Sequence, residues 1–319
     1  MPNLNVAVLG PHGYAKTVGK AGTESDITFY NLKKGEDTVT IIEPSRYPER
    51  VAPLYYAVAM SQSAILVVDA ITPEFGECVV MLDCAGIKSG YVILRNYIDR
   101  SQIDPLIKGT VIENYTFMED DSIVLRESLL ADAAKVERVV SDIPGTVMVD
   151  HHFNVKGIGT VILGGVVKGT IRTHDSVKVL PGERTAQIRS IQRHDDDCTD
   201  AVPYDRVGLA LKNITADEID RGQVVTTDDS IKIGDSFKGR IKIVKYWNTP
   251  MKDSMVIHLG HWMSYVSGRI DSVTDDSDPK NPEVEISLEK DIAYFPGDKA
   301  IVHHLDAGKL RVVGTIVLE

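Results

Sequence analysis

Apolar and polar positions fall into two textures along the chain, and the change between them comes at Ser141-Asp142-Ile143-Pro144-Gly145. Before it, short apolar runs at Val6–Leu9, Val39–Ile42, Ala64–Asp69 and Tyr91–Leu94 are separated by stretches of helical length. That spacing predicts buried strands in a parallel or mostly parallel sheet with crossover helices. Helices are expected over Pro48–Met60, Glu74–Cys84 and Val124–Val140, the last carrying Leu125, Leu129, Leu130, Ala133 and Val136 at three-to-four spacing. Beyond Gly145 helical patterns almost vanish. Runs at Thr146–Val149, Thr160–Leu163, Ser176–Val179, Ala186–Ile191 and Val207–Leu211 alternate with Gly, Asp and Pro turns, which predicts a β-barrel. A second β-rich block starts near Ile231–Gly234, with strands expected at Phe237–Tyr246, Met255–Leu259, Met263–Asp271, Glu283–Leu288, Lys299–His304 and Leu310–Leu318. Six strands in so short a stretch favour another small barrel. The expected order is an α/β domain over residues 1–142, then β-barrels over 143–230 and 231–319.

Composition narrows this picture without redirecting it. A chain of 319 residues needs more than one core, and 43% hydrophobic with 25% charged residues is ordinary for a globular protein. No long uncharged apolar window and no basic-then-apolar leader appear, so a cytoplasmic chain with no membrane partner is expected, and a monomer is the default expectation. Cys78, Cys84 and Cys198 form no C-x-x-C pair and suggest buried thiols in a reduced compartment. The net charge of −11 argues against a general nucleic-acid coat but leaves room for a local basic groove. Metal sites find little support. Asp275–Pro279 lacks the glycine and distal acid of a calcium loop, and His194–Cys198 has no defined ligand spacing. The pairs His151-His152 and His303-His304 point to opposite faces of a strand.

The stretch with candidate chemistry is the first strand and its exit, Gly10-Pro11-His12-Gly13-Tyr14-Ala15-Lys16-Thr17. It follows the phosphate-loop pattern G-x-x-x-x-G-K-[ST] with Ala15 at the second glycine. In such a loop the amides of the turn and of the following helix cradle phosphate oxygens, a lysine meets the terminal phosphates and a hydroxyl binds magnesium. Lys16 and Thr17 have the chemistry for both tasks. An ordinary Gly- and Pro-rich turn after a strand accounts for the same letters.

A nucleotide-binding α/β domain followed by two small barrels resembles the translational GTPases. Val155–Val166 looks like the G-x-G-T-V strand pair of the second domain of elongation factor Tu, and Val167–Ile171, Asp175–Val177, Ile188–Ile191 and Val207–Leu211 resemble its later strands. Asp217–Gly222 fits the family's D-x-x-R-G turn. Ser25–Thr28 and Leu310–Gly314 look closest to archaeal-type selenocysteine-specific elongation factors, although no counterpart of that family's fourth domain is seen. The resemblance implies a P-loop GTPase-like α/β domain with a site partly kept and partly rewritten. Thr28 stands where a switch threonine binds magnesium beside Thr17. The family's D-x-P-G-H becomes Glu43-Pro44-Ser45-Arg46-Tyr47, with Arg46 at the phosphate-sensing glycine and Tyr47 at the catalytic histidine, so no intact catalytic residue is expected. The guanine motif N-K-x-D becomes Asn96-Tyr97-Ile98-Asp99.

The resemblance therefore implies weak GTP or GDP binding with Mg2+, through Gly10, Gly13, Ala15, Lys16, Thr17, Asn96 and Asp99, and impaired hydrolysis. The partners it implies are an aminoacyl-tRNA and the ribosome. Lys242, Lys245, Lys252, Arg269, Lys309 and Arg311 are the basic residues of the last block expected to meet tRNA. A non-hydrolysing pseudo-GTPase scaffold on ribosomes or translation factors is the alternative, favoured by only ten residues between Thr17 and Thr28.

Overall fold

In the computed structural model, which describes residues 2–319, the first block is a mixed seven-stranded sheet. Its strands are β1 (Asn3–Leu9), β2 (Lys20–Glu24), β3 (Thr28–Lys34), β4 (Asp37–Glu43), β5 (Ser63–Val68), β6 (Ser89–Leu94) and β7 (Thr116–Met118). The order is β2-β3-β4-β1-β5-β6-β7. From β4 to β7 the neighbours run parallel, whereas β2, β3 and β4 form an antiparallel edge. Alternation along β1 explains its central place. Leu4, Val6 and Val8 face one core with α4 (Ser122–Ala133), while Ala7 and Leu9 face the other with α1 (Ala52–Ala59) and α2 (Pro73–Ala85).

The predicted helices are present: α1 is shorter than expected at both ends, α4 starts at Ser122 and stops early, and α2 runs one residue further at each end. Val136 packs beyond the end of α4, which stops at Ala133. β2 is not marked by any apolar alternation, because it is exposed along almost its whole length, and β3 is buried only over Thr28–Tyr30. A helix was expected after the phosphate-loop pattern. The chain instead makes one 3-10 turn, Tyr14–Thr17, and enters β2 at Lys20. The few residues before Thr28 must also reverse direction to pair β2 antiparallel to β3, which leaves no length for a helix of several turns.

The second block closes on itself. Strands Thr146–Val155, Gly159–Lys168, Arg206–Lys212, Arg184–Arg193, Ser176–Leu180 and Val224–Thr226 pair in that order, and the last pairs with the first. In the third block seven strands run in the order Lys232–Arg240, Glu283–Tyr294, Ser264–Asp275, Val256–His261, Lys299–His303, Val312–Val317 and Lys242–Ile243. Among the described residues no helix is long and apolar enough to cross a membrane.

The three blocks share cores. Ile27, Phe29 and Ile42 from the first meet Met148, Leu180 and Val224 from the second and Met263 and Ala293 from the third. Tyr55 of α1 lies on the backbone of Gly260, where a Cβ would come within 2.6 Å of the ring, and donates to the Trp262 carbonyl at 3.0 Å. Beside it Arg311 grips Glu77 of α2: the guanidinium donates to both carboxylate oxygens, at 3.1 and 2.6 Å, and the Arg311 amide donates to one of them at 2.7 Å. Glu77 is 1% exposed. Burial works against the charge of Arg311, but the Glu77 carboxylate holds its pKa above the ordinary value.

Breaking one side of this pair strands a buried charge, which costs about 3–5 kcal/mol. Arg311→Met should lose that much in urea unfolding followed by fluorescence of Trp247 and Trp262, while Arg311→Met with Glu77→Met should recover most of it.

His303 lies in the same seam between the rings of Tyr55 and Tyr265, at centroid distances of 5.6 and 5.0 Å, with neither ring nitrogen hydrogen-bonded. Burial pushes its pKa down to about 3. An unfolded histidine binds its proton near pH 6.5, so between those values the unfolded chain holds more protons and stability falls as the pH falls. His303→Phe should flatten that acid-side slope by up to about 1.4 kcal/mol per pH unit, read from urea midpoints at pH 7 and pH 4.5.

Candidate functional site

The end of β1 forms a loop because its glycines permit one. Gly10 has φ +135°, and a Cβ there would lie 2.3 Å from the Val67 carbonyl oxygen of β5; Gly13 has φ +80°. The Gly13 and Ala15 amides converge on one acceptor, as in an anion-binding nest, while those of Tyr14 and Lys16 bond carbonyls of the turn. The anion they meet belongs to the chain. Glu43, the last residue of β4 and 5% exposed, accepts from the Gly13 amide at 2.8 Å and from the Ala15 amide at 3.5 Å through the same oxygen. Its second oxygen accepts from the Tyr30 hydroxyl at 3.1 Å. Burial and this carboxylate push the phenol of Tyr30 well up, so it stays a donor.

The other motif residues are placed around this closed loop. Lys16 is exposed, and the Thr17 hydroxyl donates to the Tyr14 carbonyl at 2.8 Å. Thr28 is 4% exposed and its hydroxyl pairs with that of Ser45 at 2.5 Å. Thr17 and Thr28, expected to share a magnesium ion, each have a partner of their own. Among the described residues no group of three or more His, Cys, Asp or Glu is arranged to hold a metal. Outside the loop a crevice of about 310 Å3 is lined by His12, Tyr14, Thr17, Arg95 and Asp120 among others. Asp120 accepts from the Tyr14 hydroxyl at 2.7 Å and pairs with Arg95 at 3.1 Å.

Asn96 and Tyr97 adopt left-handed backbone angles, with φ 53° and 61°. Asn96 donates to the Asp69 carbonyl at 2.9 Å, which ties the two loops together. Tyr97 is fully exposed. Asp99 caps α3 (Arg100–Ile107): it accepts from the Ser101 amide at 2.8 Å, and Ser101, through its side chain first and its amide second, lowers the Asp99 pKa. Tyr47 does not face the loop. Its ring is buried beside Val51 and Phe75, and its hydroxyl donates to the Glu74 carbonyl at 3.0 Å. Burial raises its pKa further, so it has neither the position nor the acidity to manage a water.

Two of the basic residues of the third block already have acid partners. Arg311 is committed to Glu77, and Arg269 pairs with Asp271 at 3.0 Å. Lys252 and Lys309 are exposed. Lys242 and Lys245 line a crevice of about 260 Å3 together with Lys108 and Lys299, two lysines that sequence reasoning missed because only the fold brings them there.

A further pair ties the first two blocks. Arg221 donates twice to Asp26, at 2.8 and 2.9 Å, and its Nε donates to the Asp150 carbonyl at 2.9 Å. Asp150 is wholly buried and accepts from Arg206 at 3.0 and 3.1 Å; burial raises its pKa, but Arg206 and His151 outweigh that and hold it low.

An α/β block followed by a closed barrel and a second β-rich block is a fold shared with a solved selenocysteine-specific elongation factor. The chain is a homologue of the translational GTPases of elongation factor Tu and selenocysteine-specific type. Residues 159–226 match the family model for elongation factor Tu domain 2. The uncharacterized protein MJ0325 of Methanocaldococcus jannaschii is 37% identical over 317 residues, covering 98% of this chain and 99% of that one. The selenocysteine-specific elongation factor of the same organism is 25% identical, over 92% of this chain and 71% of that one. In fold, the chain matches translation elongation factor SelB from Methanococcus maripaludis, solved with the GTP analogue GppNHp, at a TM-score of 0.82 and 21% identity, over 100% of this chain and 79% of that one.

Hydrogen bonds to a charged group contribute about 1.5–3 kcal/mol, and losing this carboxylate also leaves the buried loop amide and Tyr30 without a partner. Glu43→Ala should therefore destabilise the chain by about 2–4 kcal/mol. Lys16→Ala should change stability by less than about 0.5 kcal/mol. Thermal and urea unfolding of the two variants side by side checks the contrast.

Proposed function

We propose that the protein is a translation-factor homologue that has left the GTP cycle and works as a nucleotide-independent, non-hydrolysing body that binds RNA of the translation apparatus. The carrying observation is the Glu43 carboxylate on the Gly13 and Ala15 amides. A phosphate entering that nest meets a negative charge already seated at hydrogen-bond distance. At 4 Å two unit charges repel by roughly 4 kcal/mol at the effective dielectric of a protein surface. Lys16, exposed, and Thr17, bonded to its own turn, add no compensating preorganisation. This favours the non-hydrolysing reading over weak guanine-nucleotide binding through Gly10, Lys16, Thr17, Asn96 and Asp99. The relatives' names support the partner class: they are elongation factors, including a selenocysteine-specific one, so tRNA and the ribosome are the RNAs proposed.

Two ties between blocks support a fixed arrangement, in contrast to a nucleotide-driven switch. Glu77 with Arg311 holds the third block on α2, and Asp26 with Arg221 holds the second block on the segment before β3. Arg311 also donates to the Pro48 carbonyl at 3.1 Å, so the stretch after Glu43 is tethered to the third block.

Titration calorimetry with GTP, GDP and ATP in millimolar Mg2+ should give no binding heat at ligand concentrations up to about a millimolar, which corresponds to less than about 4 kcal/mol of affinity. Phosphate release from GTP should stay at background with ribosomes added. Micromolar GTP binding, or turnover on ribosomes, would remove the reading. Retention of neither tRNA nor ribosomes at low salt would remove its RNA half.

A further inference from the structure

Register places four lysines together across the seam between the first and third blocks. Lys242 stands opposite Thr315 on neighbouring strands, and Thr315 opposite Ile301. Lys299 pairs with Val317 on the same ladder. Residues two apart on a strand point the same way, so Lys242, Lys299 and Ile301 share one face of the third sheet. That face meets the first block, because Ile301 packs in the core cluster that holds α2. Where the packed seam ends, the blocks part into the crevice of about 260 Å3, with Lys242, Lys245 and Lys299 on one wall and Lys108, Thr110 and Asp83 on the other.

All four lysines are exposed, and none of them has an ion-pair partner among the described residues. Other lysines of the chain do: Lys33 with Asp196, Lys168 with Asp228, Lys178 with Asp229 and Lys238 with Glu285. Asp83, the acid in the crevice, is engaged by the Val111 amide at 2.9 Å. A fifth cation stands behind the wall. The Lys280 ammonium donates to the carbonyls of Trp247, Lys245 and Val244 at 2.7, 3.2 and 3.4 Å, pinning the segment that carries Lys245. In a chain of net charge −11 this is a concentration of uncompensated positive charge in a concave place.

Resting on the RNA-binding reading above, the geometry points to this crevice as a docking site for the phosphate backbone of RNA. Ammonium groups on flexible stems meet phosphate oxygens from many directions, whereas the bidentate fork that suits carboxylates is a guanidinium, and no arginine lines the crevice. That favours a phosphodiester backbone over an acidic peptide. Because Lys108 comes from the first block and the other three from the third, one backbone segment laid there bridges both.

The test uses the full chain, unfractionated tRNA as probe, and fluorescence anisotropy between 50 and 300 mM salt. Lys108, Lys242, Lys245 and Lys299 are changed together to alanine; a control changes Lys156, Lys212, Lys232 and Lys290, all exposed, and unfolding curves establish that both remain folded. Each phosphate contact contributes about 0.7–0.9 to the logarithmic salt slope, so the crevice variant should lose about 3 from that slope and at least about 30-fold in affinity at the lowest salt. The control should keep the slope of the unmodified chain, and four Lys→Arg changes in the crevice should retain binding. A crevice variant with unchanged affinity and slope would overturn the site while leaving the RNA reading standing. An equal loss in the control would reduce the effect to net charge and also overturn it. Competition by polyglutamate as effective as that by tRNA would reassign the crevice to acidic peptides. No retention of tRNA or ribosomes by the unmodified chain would overturn the site and the RNA reading together.

Discussion

A nest of backbone amides after a buried strand requires an anion, because inward-facing N–H groups left unbonded are costly in any folded protein. In this chain that requirement is met from within. The Glu43 carboxylate reaches the Gly13 and Ala15 amides from the end of the neighbouring strand β4, and the Tyr30 hydroxyl from β3 holds its other oxygen. Three strands of the first sheet thus converge on one side chain. The missing helix is consistent with the same solution: with the loop satisfied locally, the chain makes a single 3-10 turn and goes directly into an edge strand.

The same economy appears at the block interfaces. Glu77 and Asp150 are buried acids, and each is held by arginines with bidentate geometry, so neither charge is left uncompensated. Asp26 with Arg221 and Glu77 with Arg311 then fix the second and third blocks to the first at separate points, around a core to which all three contribute. Tyr47 belongs to this framework and not to any chemistry, since its ring fills the core under α2.

Much of the fold was legible because it depends on periodicity. The four buried strands β1, β4, β5 and β6 are continuous apolar runs, α2 starts with a Thr72 cap and ends at Gly86, and the β-rich blocks alternate strands with turn residues. What escaped was set by contacts remote in sequence. β2 carries no apolar signal because its pairing with β3 is made of backbone bonds at an exposed edge. The site motifs gave residue types and order, yet Glu43 read as a surviving acid of the nucleotide motif; that its carboxylate enters the loop follows only from the adjacency of β1 and β4. Arg311 read as one more basic residue of the last block until its partner Glu77, far away in the chain, was in view. Lys108 and Lys299 joined Lys242 and Lys245 only through the packing of two blocks.

The seating of Glu43 is most directly tested by a crystal structure of the chain grown with excess Mg2+ and a non-hydrolysable GTP analogue. The electron density should show the carboxylate within hydrogen-bond distance of the Gly13 and Ala15 amides, the Thr17 hydroxyl on the Tyr14 carbonyl, and no nucleotide in the loop. Density for a triphosphate on those amides, with Glu43 swung out and Lys16 and Thr17 turned toward the phosphates and the metal, would contradict the replacement of the nucleotide by the chain's own carboxylate.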